Sequence, residues 1–329
     1  MRFGVDRVFT DNGIRLEWIE EHQGDVLVRV PKEVHPVVIY QAVSARIRHL
    51  GGRVLSGKED LKTGEASLSY GLFETELSSI HLIPDADLTR LLGRIAIIID
   101  DFGYHSDGVA SGFIQLPFSI TYAVIPGLAH SKNIANRLVA NGKEFIIHMP
   151  MEAMEKPVES NGYELLVKLK PEQIRTRVRN AIEALPQARG LNNHMGSRAT
   201  VDDSLLLAAL SELKKANRYF IDSRTTTQTR AFTIATRLGV EAALNDTFLD
   251  NIPGEESIRQ KLWHLADLAA ANGRAIGIGH PHSETLRVLK QLVPALQKRG
   301  FQFVTAGALI RQEPQQPITL AQKLETRRN

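Results

Sequence analysis

Apolar and polar positions follow two regimes along the chain, and the change falls near residue 94. In the first regime, Val26 to Val30 predicts a strand, and Ile39, Val43, Ile47 and Leu50 recur on one helical face before Gly51-Gly52 stops the helix. Arg53 to Leu55, Ala66 to Phe73 and Leu77 to Ile83 predict further strands separated by polar turns. Residues 20–84 are therefore expected to form a small α+β module. Residues 1–19 show no clear pattern and stand as an unassigned leader, and Pro84-Asp85-Ala86-Asp87 predicts a linker.

From Arg94 onward strands alternate with amphipathic helices. Strands are expected at Ile95 to Ile99, Ser119 to Val124, Glu144 to Ile147, Gly190 to Asn192, Tyr219 to Ile221, Thr247 to Leu249, Ala275 to Ile278 and Phe301 to Val304. The clearest helix opens at Pro171 and carries Ile174, Val178, Ala181, Ile182 and Leu185 as one stripe. About seven strand-helix units, against the eight of a complete barrel, predict an α/β domain over residues 94–310: a (β/α) barrel, seven-stranded or incomplete. A doubly wound open sheet is the alternative, but no G-x-G-x-x-G follows the first strand. Residues 311–329 are polar and expected to be a loose tail.

Composition narrows the chemistry. Forty basic and 37 acidic residues give a formal charge of +3, too small a balance to mark a nucleic-acid binder. With no cysteine, any metal must be held by His, Asp or Glu. No apolar run is long enough to span a bilayer, and the N-terminal residues lack the apolar core of a signal peptide. Nothing in the sequence speaks to oligomeric state.

Polar groups then collect at strand carboxyl ends, where the loops of a barrel converge on one cavity. They are Asp100-Asp101, His148 with Glu152, Asn192-Asn193-His194, Asp222 with Arg224, Asp250-Asn251, and His280 with His282. Adjacent residues on a strand point to opposite sides, so Asp100 and Asp101 can share a site only if the chain turns there, which Gly103 permits. Asp101, His148 and His194 form a candidate three-ligand site with a position open to water, as expected for catalytic Zn²⁺ or a similar divalent ion. Asp100 is then placed to take a proton from water, and His280 to deliver one to a leaving group. Glu152, Asn193 and His282 are candidates for substrate contact or support. Asp222 and Arg224 are expected either to hold a ligand or the base, or to form an ion pair at the rim.

The motifs IIIDDFG, HMPME, NNHMGS, FIDSRT and IGHPH, in that order over residues 94–310, resemble the divergent polysaccharide deacetylase family, the YibQ-like proteins, a distant branch of the carbohydrate esterase group. The resemblance implies a barrel with an Asp-His-His metal site. It also implies that the first Asp of the pair, Asp100, is the catalytic base, that the second, Asp101, binds metal, and that His280 is the catalytic acid. One position departs: better-studied relatives carry a second His or Asn four residues after the first His, where this chain has Glu152. The third ligand is then either Glu152 or His194, and His194 is preferred. The implied activity is metal-dependent removal of acetyl groups from a carbohydrate, an N-acetylated sugar polymer of the envelope. A periplasmic or secreted location is also implied, although the chain shows no export signal. A non-catalytic carbohydrate-binding or envelope-regulating protein on the same barrel is the alternative. A metal-free glycosidase using Asp100 with Glu152 or Asp222 is a further one.

Overall fold

The computed structural model describes residues 3–22, 24–155 and 161–311. They divide into two compact units, one of residues 3–92 with 296–302, the other of residues 93–295 with 303–311. The expected tail from residue 312 lies outside the described residues.

The first unit contains helices α1 (Phe3–Asp11) and α2 (Pro36–His49) and strands β1 (Ile19–His22), β2 (Asp25–Pro31), β3 (Arg53–Glu59), β4 (Ala66–Leu72) and β5 (Thr75–Asp85). The sheet runs β1-β2-β5-β4-β3, with β2 and β5 parallel and the other pairs antiparallel. Alternation explains its core: Val26, Val28 and Val30 from β2, Leu68 and Tyr70 from β4, and Ile80 and Leu82 from β5 pack with Ile39, Val43 and Ile47 of α2. Three expectations are corrected here. The leader is not patternless, because α1 sends Val5 and Phe9 into this core, followed by Ile14 and Trp18. Leu50 leaves the buried helical face and caps α2 half-exposed. Pro84 and Asp85 are not linker: they extend β5 and pair with Val30 and Pro31.

The second unit is an incomplete (β/α) barrel. Its elements in order are β6 (Gly93–Phe102), α3 (Gly108–Ile114), β7 (Thr121–Val124), α4 (Ser131–Ala140), β8 (Glu144–Met151), α5 (Pro171–Ala184), β9 (Gly190–Met195) and α6 (Asp203–Lys215). Then follow β10 (Tyr219–Asp222), α7 (Ala231–Arg237), β11 (Ala242–Leu244), β12 (Thr247–Phe248), α8 (Glu255–Asn272), β13 (Arg274–Gly279), α9 (Ser283–Lys298), β14 (Phe301–Val304) and α10 (Ala306–Arg311), the end of α9 and the start of β14 being the stretch 296–302 grouped with the first unit. The parallel path β11-β10-β9-β8-β7-β6-β13-β12 is open between β11 and β12, and β14 joins at β6. The chain itself crosses the opening: Asn245 N–H bonds Asp222 O on β10, and Asp246 N–H bonds Ile276 O on β13.

Both faces of β6 are buried, which is why Ile95 to Ile99 is apolar without interruption. Ala96 and Ile98 face inward and join Ala123, Ile146, Tyr219, Ile221, Ala243, Ile276 and Ile278 in the barrel core. α10 closes the amino end, contributing Ala306 and Leu309 to that core. There Glu144 accepts hydrogen bonds from Thr121 Oγ1, Tyr219 O–H and Gly307 N–H at 2.9–3.0 Å and from Thr305 Oγ1 at 3.1 Å. With that end plugged, the site is built at the carboxyl ends.

Candidate active site

The alternation that fills the barrel also sets its rim. Two residues beyond the inward Ile98, Ile146, Ile221 and Ile278 come Asp100, His148, Ser223 and His280. Asp101 would point outward by the same rule, but β6 gains one residue against β7 between Ile99 and Phe102. Asp101 takes the left-handed conformation, with φ 59°, a conformation Asp tolerates better than most side chains. This bulge, and not Gly103 alone, turns both carboxylates to one place. Gly103, at φ 123°, then leads the chain away, and a Cβ there would lie 2.8 Å from Ser131 Oγ.

Three donor atoms converge. Asp101 Oδ1 lies 3.1 Å from His148 Nε2 and 3.0 Å from His194 Nδ1, and the two ring nitrogens are 3.0 Å apart. Oδ1 is buried and has no hydrogen-bond partner. Burial pushes the Asp101 carboxyl up, but the two imidazoles outweigh burial and hold it well below the usual range. An orphaned buried acceptor costs about 1–3 kcal/mol, a penalty that a bound cation removes. Two imidazole nitrogens and a carboxylate oxygen at this spacing suit a divalent ion with bonds of about 2.0–2.2 Å, such as Zn²⁺. The donor set therefore fits the implied metal.

Asp100 differs from its neighbour. It is almost fully buried, and burial, reinforced by the charge of Asp101, raises its carboxyl against the opposing pull of His148, His280 and an Asn192 hydrogen bond. Asn192 Nδ2 donates to Asp100 Oδ1 at 2.8 Å, while Asn192 Oδ1 meets His148 Nδ1 at 2.8 Å. His280 follows β13, beside β6 in the sheet. Its Nδ1 lies 2.8 Å from Asp250 Oδ1, and its backbone N–H and Thr285 Oγ1 both donate to Asp250 Oδ2. Burial draws His280 down, yet Asp250, with Asp100 and Asp101 behind it, raises it to about 9.

The other expected site residues lie outside the cluster of Asp101, His148 and His194. Glu152 lies outside the donor cluster: Oε1 pairs with Arg198 at 3.0 Å and Oε2 accepts Val167 N–H at 2.6 Å. Asn193 faces away from the donor cluster, with Oδ1 accepting Ser223 N–H and Nδ2 donating to Met195 O. Asp222 pins the loop before α7 through Thr229 Oγ1, Phe232 N–H and Arg224 N–H. The Arg224 guanidinium reaches Asn245 O, and only its backbone N–H meets the Asp222 carboxylate. His282 is exposed beside His280, ring centroids 6.0 Å apart. With Glu152 and Asp222 so engaged, a two-carboxylate glycosidase has no second carboxylate among them. Asn192 and Asp250, given no role from sequence, touch the candidate base and acid. The signal for Asn192 was period two: it lies two residues before His194, and the register sets it opposite His148.

The sequence profile of the divergent polysaccharide deacetylases matches residues 97–310. The chain belongs to this family. It is 37% identical over 226 residues to the uncharacterized protein YibQ of Escherichia coli (strain K12), covering 68% of this chain and 69% of that one. It is 32% identical over 231 residues to an uncharacterized protein of Haemophilus influenzae, covering 69% and 81%. Among solved structures, the uncharacterized protein ATU2773 from Agrobacterium tumefaciens C58 superposes with a TM-score of 0.63 at 22% identity, covering 66% of this chain and 89% of that one. That likeness concerns the fold.

Proposed function

We propose that this family member is a metal-dependent hydrolase that removes acetyl groups from an N-acetylated sugar polymer, with Asp101, His148 and His194 holding a divalent ion, most naturally Zn²⁺. The observation that carries the reading is the buried, partnerless Asp101 Oδ1 with two imidazole nitrogens at 3.0–3.1 Å. When bound, such an ion supplies Lewis acidity toward a carbonyl and makes water acidic enough to attack near neutral pH. Asp100, held by Asn192, takes the proton of the attacking water as its oxygen adds to the acetyl carbon. His280, kept protonated by Asp250, gives a proton to the sugar nitrogen as the C–N bond breaks, leaving acetate and a free amine. The apolar interior below Ile98, Ile146 and Ile278 keeps water from approaching these groups from beneath. A polymer of this kind lies in the cell envelope, so a periplasmic or secreted location belongs to the same proposal.

Elemental analysis of the purified protein, paired with acetate assays on N-acetylated sugar oligomers, tests this. About one divalent ion per chain is expected, with acetate release lost on chelation and restored by Zn²⁺. A protein that binds the oligomers and releases no acetate with metal supplied would be a carbohydrate-binding protein instead.

A further inference from the structure

Asn192 is fully buried and is the one described side chain with hydrogen bonds to both Asp100 and His148. The amide presents its two ends to different partners, and its nitrogen faces Asp100. Nδ2 does so at 2.8 Å, with a longer contact to Ser223 Oγ at 3.3 Å. The amide oxygen is then left for His148, whose Nδ1 must carry the hydrogen that fills the 2.8 Å contact. In the neutral ring, the form a metal ligand requires, the lone pair of His148 then falls on Nε2, the atom that faces Asp101 and His194. With Oδ1 of Asp100 tied down, its Oδ2 lies 3.6 Å from the same Nε2.

We infer that Asn192 is a positioning residue that sets two protonation geometries at once: its oxygen fixes His148 as the Nδ1–H tautomer, the form able to ligate through Nε2, and its nitrogen holds Asp100 with one oxygen turned toward the donor cluster. The inference rests on the metal-dependent deacetylase reading. Asn193 cannot replace it, because both ends of that amide are engaged by Ser223 and Met195. The two halves of the Asn192 amide can be separated by substitution. Asn192→Asp keeps an acceptor for His148 and loses the donor to Asp100, whereas Asn192→Leu loses both.

The test uses the full chain, with zinc affinity measured by chelator competition, acetate release at saturating zinc, and thermal unfolding as a check on folding. Asn192→Leu should bind zinc about 10–100-fold more weakly. Asn192→Asp should bind within about threefold of the parent, yet its kcat should fall at least about tenfold with KM unchanged. Nitrogen-15 NMR of labelled histidine in the zinc-loaded parent should show His148 protonated at Nδ1, a readout that needs no variant. Equal zinc weakening in both variants, or the other tautomer in the parent, would overturn the first half of the inference. Unchanged kcat in Asn192→Asp would overturn the second half. A parent that binds zinc and releases no acetate would sink the deacetylase reading, while the zinc and NMR results would still decide the role of the amide oxygen.

Discussion

Asp100 and Asp101 share a peptide bond and differ in nearly everything else: burial raises one carboxyl, while two imidazoles hold the other down. Replacing His148 or His194 with Ala should each lower bound zinc sharply, because each removes one of three converging donors. His105→Ala and His264→Ala, at exposed positions outside that cluster, should leave metal content unchanged. His280 sets the alkaline side. Its folded pKa is raised to about 9, so the acid is present below that value and is lost as pH rises through it. Activity should decline on an alkaline limb, and Asp250→Asn, by removing the carboxylate that raises His280, should move the limb to lower pH. A limb that stays put in a kcat–pH profile would contradict the Asp250 contact. The strand-end pattern in the sequence was enough to single out the groups that converge here. Asn193 and Asp222 each follow an inward-facing residue, Asn192 and Ile221, by one position, so the period of two sets them on the face away from the donors.

At the element scale, β6 shows what was legible and what was not. Its unbroken apolar run marked a strand covered on both faces, as its burial shows. The extra residue at Asp100-Asp101 is a matter of register with β7, and register is not written in one strand's sequence. Short elements escaped for a related reason. β11 has three residues, α3 and α7 have seven each, and none spans two full periods of its own pattern. α1 escaped because its core-facing stripe, Val5, Val8 and Phe9, covers little more than one turn. The plug at the amino end carries a stability prediction. Glu144→Ala strands the Tyr219 hydroxyl and the Gly307 N–H, among other donors. It should cost about 2–4 kcal/mol in urea unfolding, and a midpoint unchanged from the parent would show that the plug contributes nothing.

At the scale of the molecule, every strand of the nine-stranded sheet lies after residue 92. A fragment of residues 87–329 should therefore fold alone, and a random-coil circular dichroism spectrum would contradict that expectation. Among the described residues no helix is long and apolar enough to cross a membrane. The barrel class was readable from its strand-helix alternation. The seam was not, because the step from β11 to β12 through Asn245 and Asp246 depends on partners far away in sequence. In the proposed metal-dependent site the adjacent carboxylates do different work. Acetate release and bound metal, followed across added Zn²⁺ for the parent, Asp100→Asn and Asp101→Asn, test this most directly. Asp101→Asn should lose metal and regain part of its activity as zinc is raised. Asp100→Asn should keep its metal, lose about 10²- to 10⁴-fold in kcat, and gain nothing from added zinc. Equal loss of metal in both variants, or equal rescue of both, would contradict the division of roles, and a fully zinc-loaded parent that releases no acetate would contradict the account itself.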